Sequence, residues 1–156
     1  SYYQWDLFKF CRKFFAQYDA YKDYEGLLFW LDADIVTFEK VPEELLKGFL
    51  QGNAMCYLGR TNWHSCASFI GWNTRHGETK KYFETLRHLY LSGDIFHLEE
   101  WHDSFVNDAV RINTKISSRN LTESIETDGP ANIFDMSELG NYAKHLKGNL
   151  KYKAPE

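Results

Sequence analysis

The sequence is poor in the residues that punctuate and staple chains: 3 Pro, 3 Cys and 2 Met in 156 residues. Its few prolines do not cluster, so no Pro-rich linker separates one folded unit from another. No internal repeat or low-complexity tract is visible either. One domain over 1–156 follows, since a second cored unit in this length would leave both marginal. Cys11, Cys56 and Cys66 cannot all pair with one another, and they show neither CxxC spacing nor a paired-His cluster of zinc type. Reduced, mostly buried thiols in an intracellular compartment are expected. No apolar run approaches the ~18 residues of a membrane span, and no basic-then-apolar leader opens the chain. Neither a span nor a signal peptide is expected, and the expected location is cytoplasmic. Cations are not in excess: 18 Lys and Arg against 22 Asp and Glu leave a net charge of −4. Such a chain has no global electrostatic case for nucleic acid. It meets a polyanion only through a local basic patch or a metal.

Aromatics, by contrast, are dense: 5 Trp, 10 Tyr and 12 Phe. Most belong to a core, and a minority on loops suits a flat or sugar-like ligand. Trp5, Phe8, Cys11, Phe14, Phe15 and Tyr18 recur at helical spacing. They predict an amphipathic helix ending near Tyr21, with Lys9, Arg12 and Lys13 on a solvated face. Leu27–Leu31 is wholly apolar, which predicts a central parallel strand buried on both faces. Pro42, Glu43 and Glu44 open a helix that Gly52 can close. Strands are expected at Ala54–Leu58 and Ala67–Trp72, with a polar loop from Gly59 to Ser65. Helices are expected at Glu78–Leu91, stopped by Gly93, at Glu99–Ile112, and in a short segment including Leu139–Leu146. The interleaving makes the class α/β. A doubly wound sheet usually begins with a strand and a phosphate- or base-binding turn. Here a helix comes first, so the chain is either a fragment or a minimal fold.

Two motifs carry chemistry. Asp32-Ala33-Asp34 ends the apolar strand, where ligands of open α/β sheets bind. Carboxylates at i and i+2 in a turn can converge on one hard cation, and without one they repel. The alternative is a turn-forming or capping Asp pair. His145-Leu146-Lys147-Gly148-Asn149-Leu150-Lys151 is an HxxGxxK array. It offers an imidazole ligand, a close backbone approach and a point charge for phosphate. The alternative is an ordinary helix end with a Gly cap. Composition yields about 0.6 DxD triplets by chance but only about 0.03 such arrays, so the second motif is the more specific.

Taken together, LeuPheTrpLeuAspAlaAsp (28–34) and HisLeuLysGlyAsnLeuLys (145–151) resemble the retaining glycosyltransferases of the glycogenin-like family. The resemblance implies a GT-A fold: a truncated, Rossmann-like mixed sheet flanked by helices, without the family's first nucleotide-binding β-α unit. It implies Asp32, Asp34 and His145 as ligands of Mn2+ (or Mg2+). It implies Gly148 and Lys151 as diphosphate contacts of a nucleotide-sugar donor, the acceptor being unknown. Ala67-Ser68-Phe69-Ile70-Gly71-Trp72-Asn73 resembles the family's central strand, which makes Asn73 a donor-binding candidate. At the sugar-facing start of that strand this chain has Cys66. Glu100-Trp101-His102-Asp103 resembles the region near the transferred sugar, with Asp103 the first catalytic candidate and His102 and Glu100 behind it. Asp103 is equally readable as an N-terminal helix acid. The Trp-Leu-Asp-Ala-Asp and Glu-Trp-His-Asp segments resemble in particular a small bacterial and phage-type branch. The likeness covers most of residues 5–152.

Two other readings stand beside this one. The chain is a non-catalytic metal- or sugar-binding remnant, or Asp32-Ala33-Asp34-Ile35-Val36 is the nucleophile strand of a haloacid-dehalogenase-type phosphatase. The latter needs a late acidic pair, and Asp128 and Asp135 lack its apolar-strand setting.

Overall fold

The computed structural model of the chain describes residues 2–127 and 129–147, with side chains from residue 4 onward. Gly148, Lys151 and Asp128 therefore lie outside the described residues. The strands are β1 (Leu27–Leu31), β2 (Ile35–Thr37), β3 (Met55–Arg60), β4 (Trp63–Asn73), β5 (Ser118–Asn120) and β6 (Ala143–His145). The α-helices are α1 (Leu7–Asp23), α2 (Glu43–Phe49), α3 (Gly77–Ser92), α4 (Asp103–Thr114) and the one-turn α5 (Ile133–Met136). One mixed sheet has the order β1-β4-β3-β5, and β2 pairs with β6 in a separate ribbon. The chain is thus mixed α/β, with helices on both sides of a mixed sheet. Among the described residues no helix is long and apolar enough to cross a membrane.

The strand β1 forms where expected, but its surroundings differ. It runs antiparallel to β4, with Leu27 opposite Asn73 and Leu31 opposite Phe69. Among the described residues it pairs with no other strand, so it is an edge and not a central parallel strand. Its side chains are half-buried, and Leu31 is exposed. The apolar run has a different cause. Leu28 and Trp30 pack on the cluster built from α1, α3 and α4. Leu27 and Phe29 pack on the opposite cluster, with Phe49, Phe69 and Phe134. Alternate residues face opposite sides of a sheet, so a sheet covered on both sides demands an all-apolar strand whatever the direction of its neighbour.

Gly71 sits between both flanking strands, opposite Phe29 and Cys56. A Cβ there would lie 2.6 Å from the Phe29 ring and 2.7 Å from the Cys56 sulfur. Gly71→Ala is therefore expected to cost about 1–3 kcal/mol through overpacking, read as a lowered denaturant midpoint at unchanged m-value.

Four further expectations are corrected. The buried face of α1 is Phe10, Phe14 and Gln17, while Phe8 is 82% exposed. Positions 10, 13, 14 and 17 share one side of a helix, so Lys13 faces inward and not to solvent. The segment 59–65 is a tight β3–β4 hairpin, turned with Asn62 at φ 53°. The helix expected from Glu99 starts only at Asp103, because His102 caps it by accepting the Phe105 N–H at 3.4 Å. Glu99 and Glu100 precede the cap in non-helical chain. Residues 139–146 form a 3-10 turn (Glu138–Asn141) followed by β6, whose buried–exposed–buried alternation is that of a strand. The reading of His145 as a helix end falls with it.

Candidate functional site

A cavity of about 640 Å³ opens at the carboxyl end of β1. Its walls come from α1, the β1–β2 turn, the start of β4, the N-terminus of α4 and the end of β6. Asp32 and Asp34 are held there by a turn in which the Ile35 N–H bonds back to the Asp32 carbonyl at 3.0 Å. The Asp32 N–H in turn donates to the Ser68 carbonyl.

His145 reaches the same place through the ribbon. Ile35 lies opposite His145 in the β2–β6 ladder, and the Leu146 N–H donates to the Asp34 carbonyl at 2.9 Å. The His145 N–H is further tied to the Asp135 carboxylate at 2.8 Å. His145 Nε2 consequently lies 3.2 Å from Asp34 Oδ1. Asp32, Asp34 and His145 each offer a ligand atom within 4.8 Å of the others. Two carboxylates and one imidazole make a donor set that suits a hard-to-borderline divalent cation such as Mn2+ or Mg2+.

The centre of the cavity is organised by a residue the sequence reading placed on a solvated face. Lys13 Nζ donates to Asp32 Oδ1 at 2.6 Å, Asp103 Oδ2 at 2.8 Å and the Ala67 carbonyl at 2.5 Å. An ammonium has three donors, so Lys13 is fully satisfied, and its side chain is only 12% exposed. Burial alone would lower its pKa; the Asp103 and Asp32 carboxylates outweigh that and raise it above 10.5. The Ala67 carbonyl is available because the β3–β4 register shifts between the Tyr57–Ile70 and Leu58–Cys66 pairs. A bulge of this kind redirects backbone groups beside a site. Trp30 Nε1 also donates to Asp32 Oδ1, at 2.8 Å. Both described side-chain bonds to Asp32 thus fall on Oδ1, which leaves Oδ2 for a cation.

On the His145 side the wall is cationic. Arg60 and Lys147 line it, and partial burial holds the Lys147 ammonium below its ordinary pKa. Cys66 lies here too, with its sulfur 3.0 Å from the Ser68 hydroxyl. Burial pushes that thiol up, but hydrogen bonding to His145, the Arg60 charge and Ser68 bring it down to about 7.

On the other side stand Asp103, His102 and Glu100, with His102 Nε2 2.6 Å from Glu100 Oε2. Asp103 is the first residue of α4, and its Oδ1 accepts the Ser104 N–H at 2.9 Å. It therefore serves its helix and faces the cavity at once. Trp63, 51% exposed, stands at the rim.

Asn73 is not part of this arrangement. Because β4 runs antiparallel to β1, the end of β4 lies beside the beginning of β1, at the opposite end of the sheet from Asp32. Its side chain accepts the Arg75 N–H in a local turn. The donor-binding assignment for Asn73 is corrected accordingly. The residues of this cavity missed from sequence include Lys13, Arg60, Trp63, His64 and Lys147. Only Lys147 carried a motif signal, its place inside the HxxGxxK segment. No protein-family model matches the chain, and no curated protein matches it.

Proposed function

We propose that this chain is a metal-dependent glycosyltransferase domain of GT-A type, which moves a sugar from a nucleotide-diphosphate donor to an acceptor. The observation that carries the reading is the meeting of Asp32 and Asp34 with His145 at one point of a large cavity, beside the cations of Arg60 and Lys147. A net-acidic chain has little use for such a cluster unless an anionic ligand arrives with a cation. The cavity is also within the ~300–1,000 Å³ range of ligand pockets.

When bound, a divalent cation on Asp32, Asp34 and His145 would neutralise charge on the leaving diphosphate. The protein's own groups do the rest. Lys147 and Arg60 would face the diphosphate from the β6 side, and the resemblance implies Gly148 and Lys151 as further diphosphate contacts. As the bond from the sugar carbon to the phosphate oxygen breaks, its electron pair stays with that oxygen, and these cations stabilise the charge. Lys13 holds Asp32 and Asp103 in fixed positions and so ties the cation side to the sugar side. Asp103 stands nearest to the role of stabilising the sugar centre, and Trp63 at the rim offers a stacking face for a saccharide.

Nucleoside diphosphate release is to be followed across a panel of nucleotide sugars with Mn2+. Release from one or a few donors, stopped by EDTA, is the expected result. Tight Mn2+-dependent binding without release or transfer on any acceptor would favour the non-catalytic binding module instead.

A further inference from the structure

The cavity holds a second cluster outside the Asp32–Asp34–His145 group, built in part from His102 and Glu100, which stand beside Asp103. His64 lies on β4, while Glu100 and His102 lie in the segment leading into α4. Their ligand atoms fall within 4.8 Å of one another. Glu100 Oε2 is 2.6 Å from His102 Nε2 and 3.6 Å from His64 Nε2. We propose that His64, Glu100 and His102 form a second cation site, for a borderline-soft divalent transition metal of the Zn2+ type, separate from the Asp32–Asp34–His145 cluster.

The donor chemistry separates the two clusters. Two carboxylates and one imidazole favour a harder ion, whereas two imidazoles and one carboxylate suit zinc. Three protein ligands on the wall of an open cavity also leave a coordination position for water or a substrate oxygen.

The cluster is held in place by a surrounding layer. Gln4 Nε2 donates to Glu100 Oε1 at 3.0 Å, which fixes the carboxylate and leaves Oε2 turned to the histidines. The two imidazoles meet edge-on at 5.3 Å between centroids. Phe105 packs edge-on against both, at 5.2 Å and 6.3 Å, and Phe10 packs against His102 at 6.2 Å. Supports of this kind orient ligands ahead of the ion. Nothing in the β4 ladder requires an imidazole at position 64, yet its ring turns toward Glu100.

Metal binding asks one change of the helix cap. In the metal-free protein His102 Nδ1 accepts the Phe105 N–H, so Nε2 carries the proton that faces Glu100. A cation on Nε2 moves that proton to Nδ1, with no net proton released, and the Phe105 N–H loses its partner. That bond is long, and the Val106 N–H still donates to the His102 carbonyl at 3.1 Å, so the helix start survives.

The test is calorimetric titration of the metal-free chain with Zn2+ alone, without nucleotide, in the wild type and in Asp34→Ala, His64→Ala and the double variant. The wild type is expected to take up two ions, each single variant one, and the double variant none with comparable affinity. In Asp34→Ala, Co2+ should give visible absorption bands that disappear when His64→Ala is added, and Zn2+ should speed hydrogen exchange at the Phe105 amide. Glu100→Gln, nearly isosteric, should weaken this site by at least ~10-fold if His64→Ala proves unstable. Unchanged Zn2+ uptake in a folded His64→Ala or Glu100→Gln protein would overturn the proposal, as would loss of all uptake in Asp34→Ala. Both outcomes are read with Zn2+ alone, so they leave the donor-site reading, which rests on the Asp32–Asp34–His145 cluster, to its own test with nucleotide present.

Discussion

Asp34→Ala is expected to abolish Mn2+-dependent nucleoside diphosphate binding. Affinity should fall by ~100-fold or more, a loss of about 2.7 kcal/mol, to the level the wild type shows in EDTA. The physical reason is repulsion: two carboxylates and a diphosphate cannot share a site unless a cation lies between them. The substitution removes the side-chain contact to His145 but keeps the main-chain bonds that pair the two strands of the ribbon. The Leu146 N–H bonds to the Asp34 carbonyl, and Ile35 pairs with His145. Secondary structure and melting temperature should therefore stay close to those of the wild type while binding is lost. Titration calorimetry of a nucleoside diphosphate, with Mn2+ and with EDTA, reads the effect. Equal affinities in the two conditions would remove the metal-bridged donor site from consideration.

Lys13→Met should produce the largest loss of stability, about 3–5 kcal/mol, the usual cost of leaving buried charges without their partner. For a chain of this length that lowers Tm by roughly 10 °C. Asp32 and Asp103 would then face one another without the ammonium that now lies 2.6 and 2.8 Å from them. The pH dependence has a definite sign. The folded pKa of Lys13 is raised above 10.5, so its contribution is complete below that value and is lost only as pH climbs through the raised one. The stability gap between wild type and variant should stay level through neutral pH and close in strong alkali. Denaturant melts at several pH values measure this. A variant as stable as the wild type near pH 7 would show that the three-way contact contributes nothing net.

The sequence by itself determined the elements whose signal is local. The helix α3 was legible from its periodicity and from Gly93, which takes φ 85° at the cap. The strand β1 and the two acids after it were legible because an unbroken apolar run requires cover on both faces. The spacing of His145 within its array marked it as a candidate ligand, the resemblance implied that it joins the Asp pair, and the structure sets it 3.2 Å from Asp34. Tertiary structure decided the rest. The means by which Asp34 and His145 meet is a ribbon of two three-residue strands, too short to carry a readable period. Lys13 read as a solvated cation because only the packing angle of α1 turns positions 10, 13, 14 and 17 inward. Asn73 was misplaced because an apolar strand does not state the direction of its neighbour, and antiparallel pairing carries the end of β4 away from the site. Residue type and spacing specify what a segment can bind; which segments share a cavity depends on strand direction and helix rotation, which are set by contacts between residues far apart in the chain.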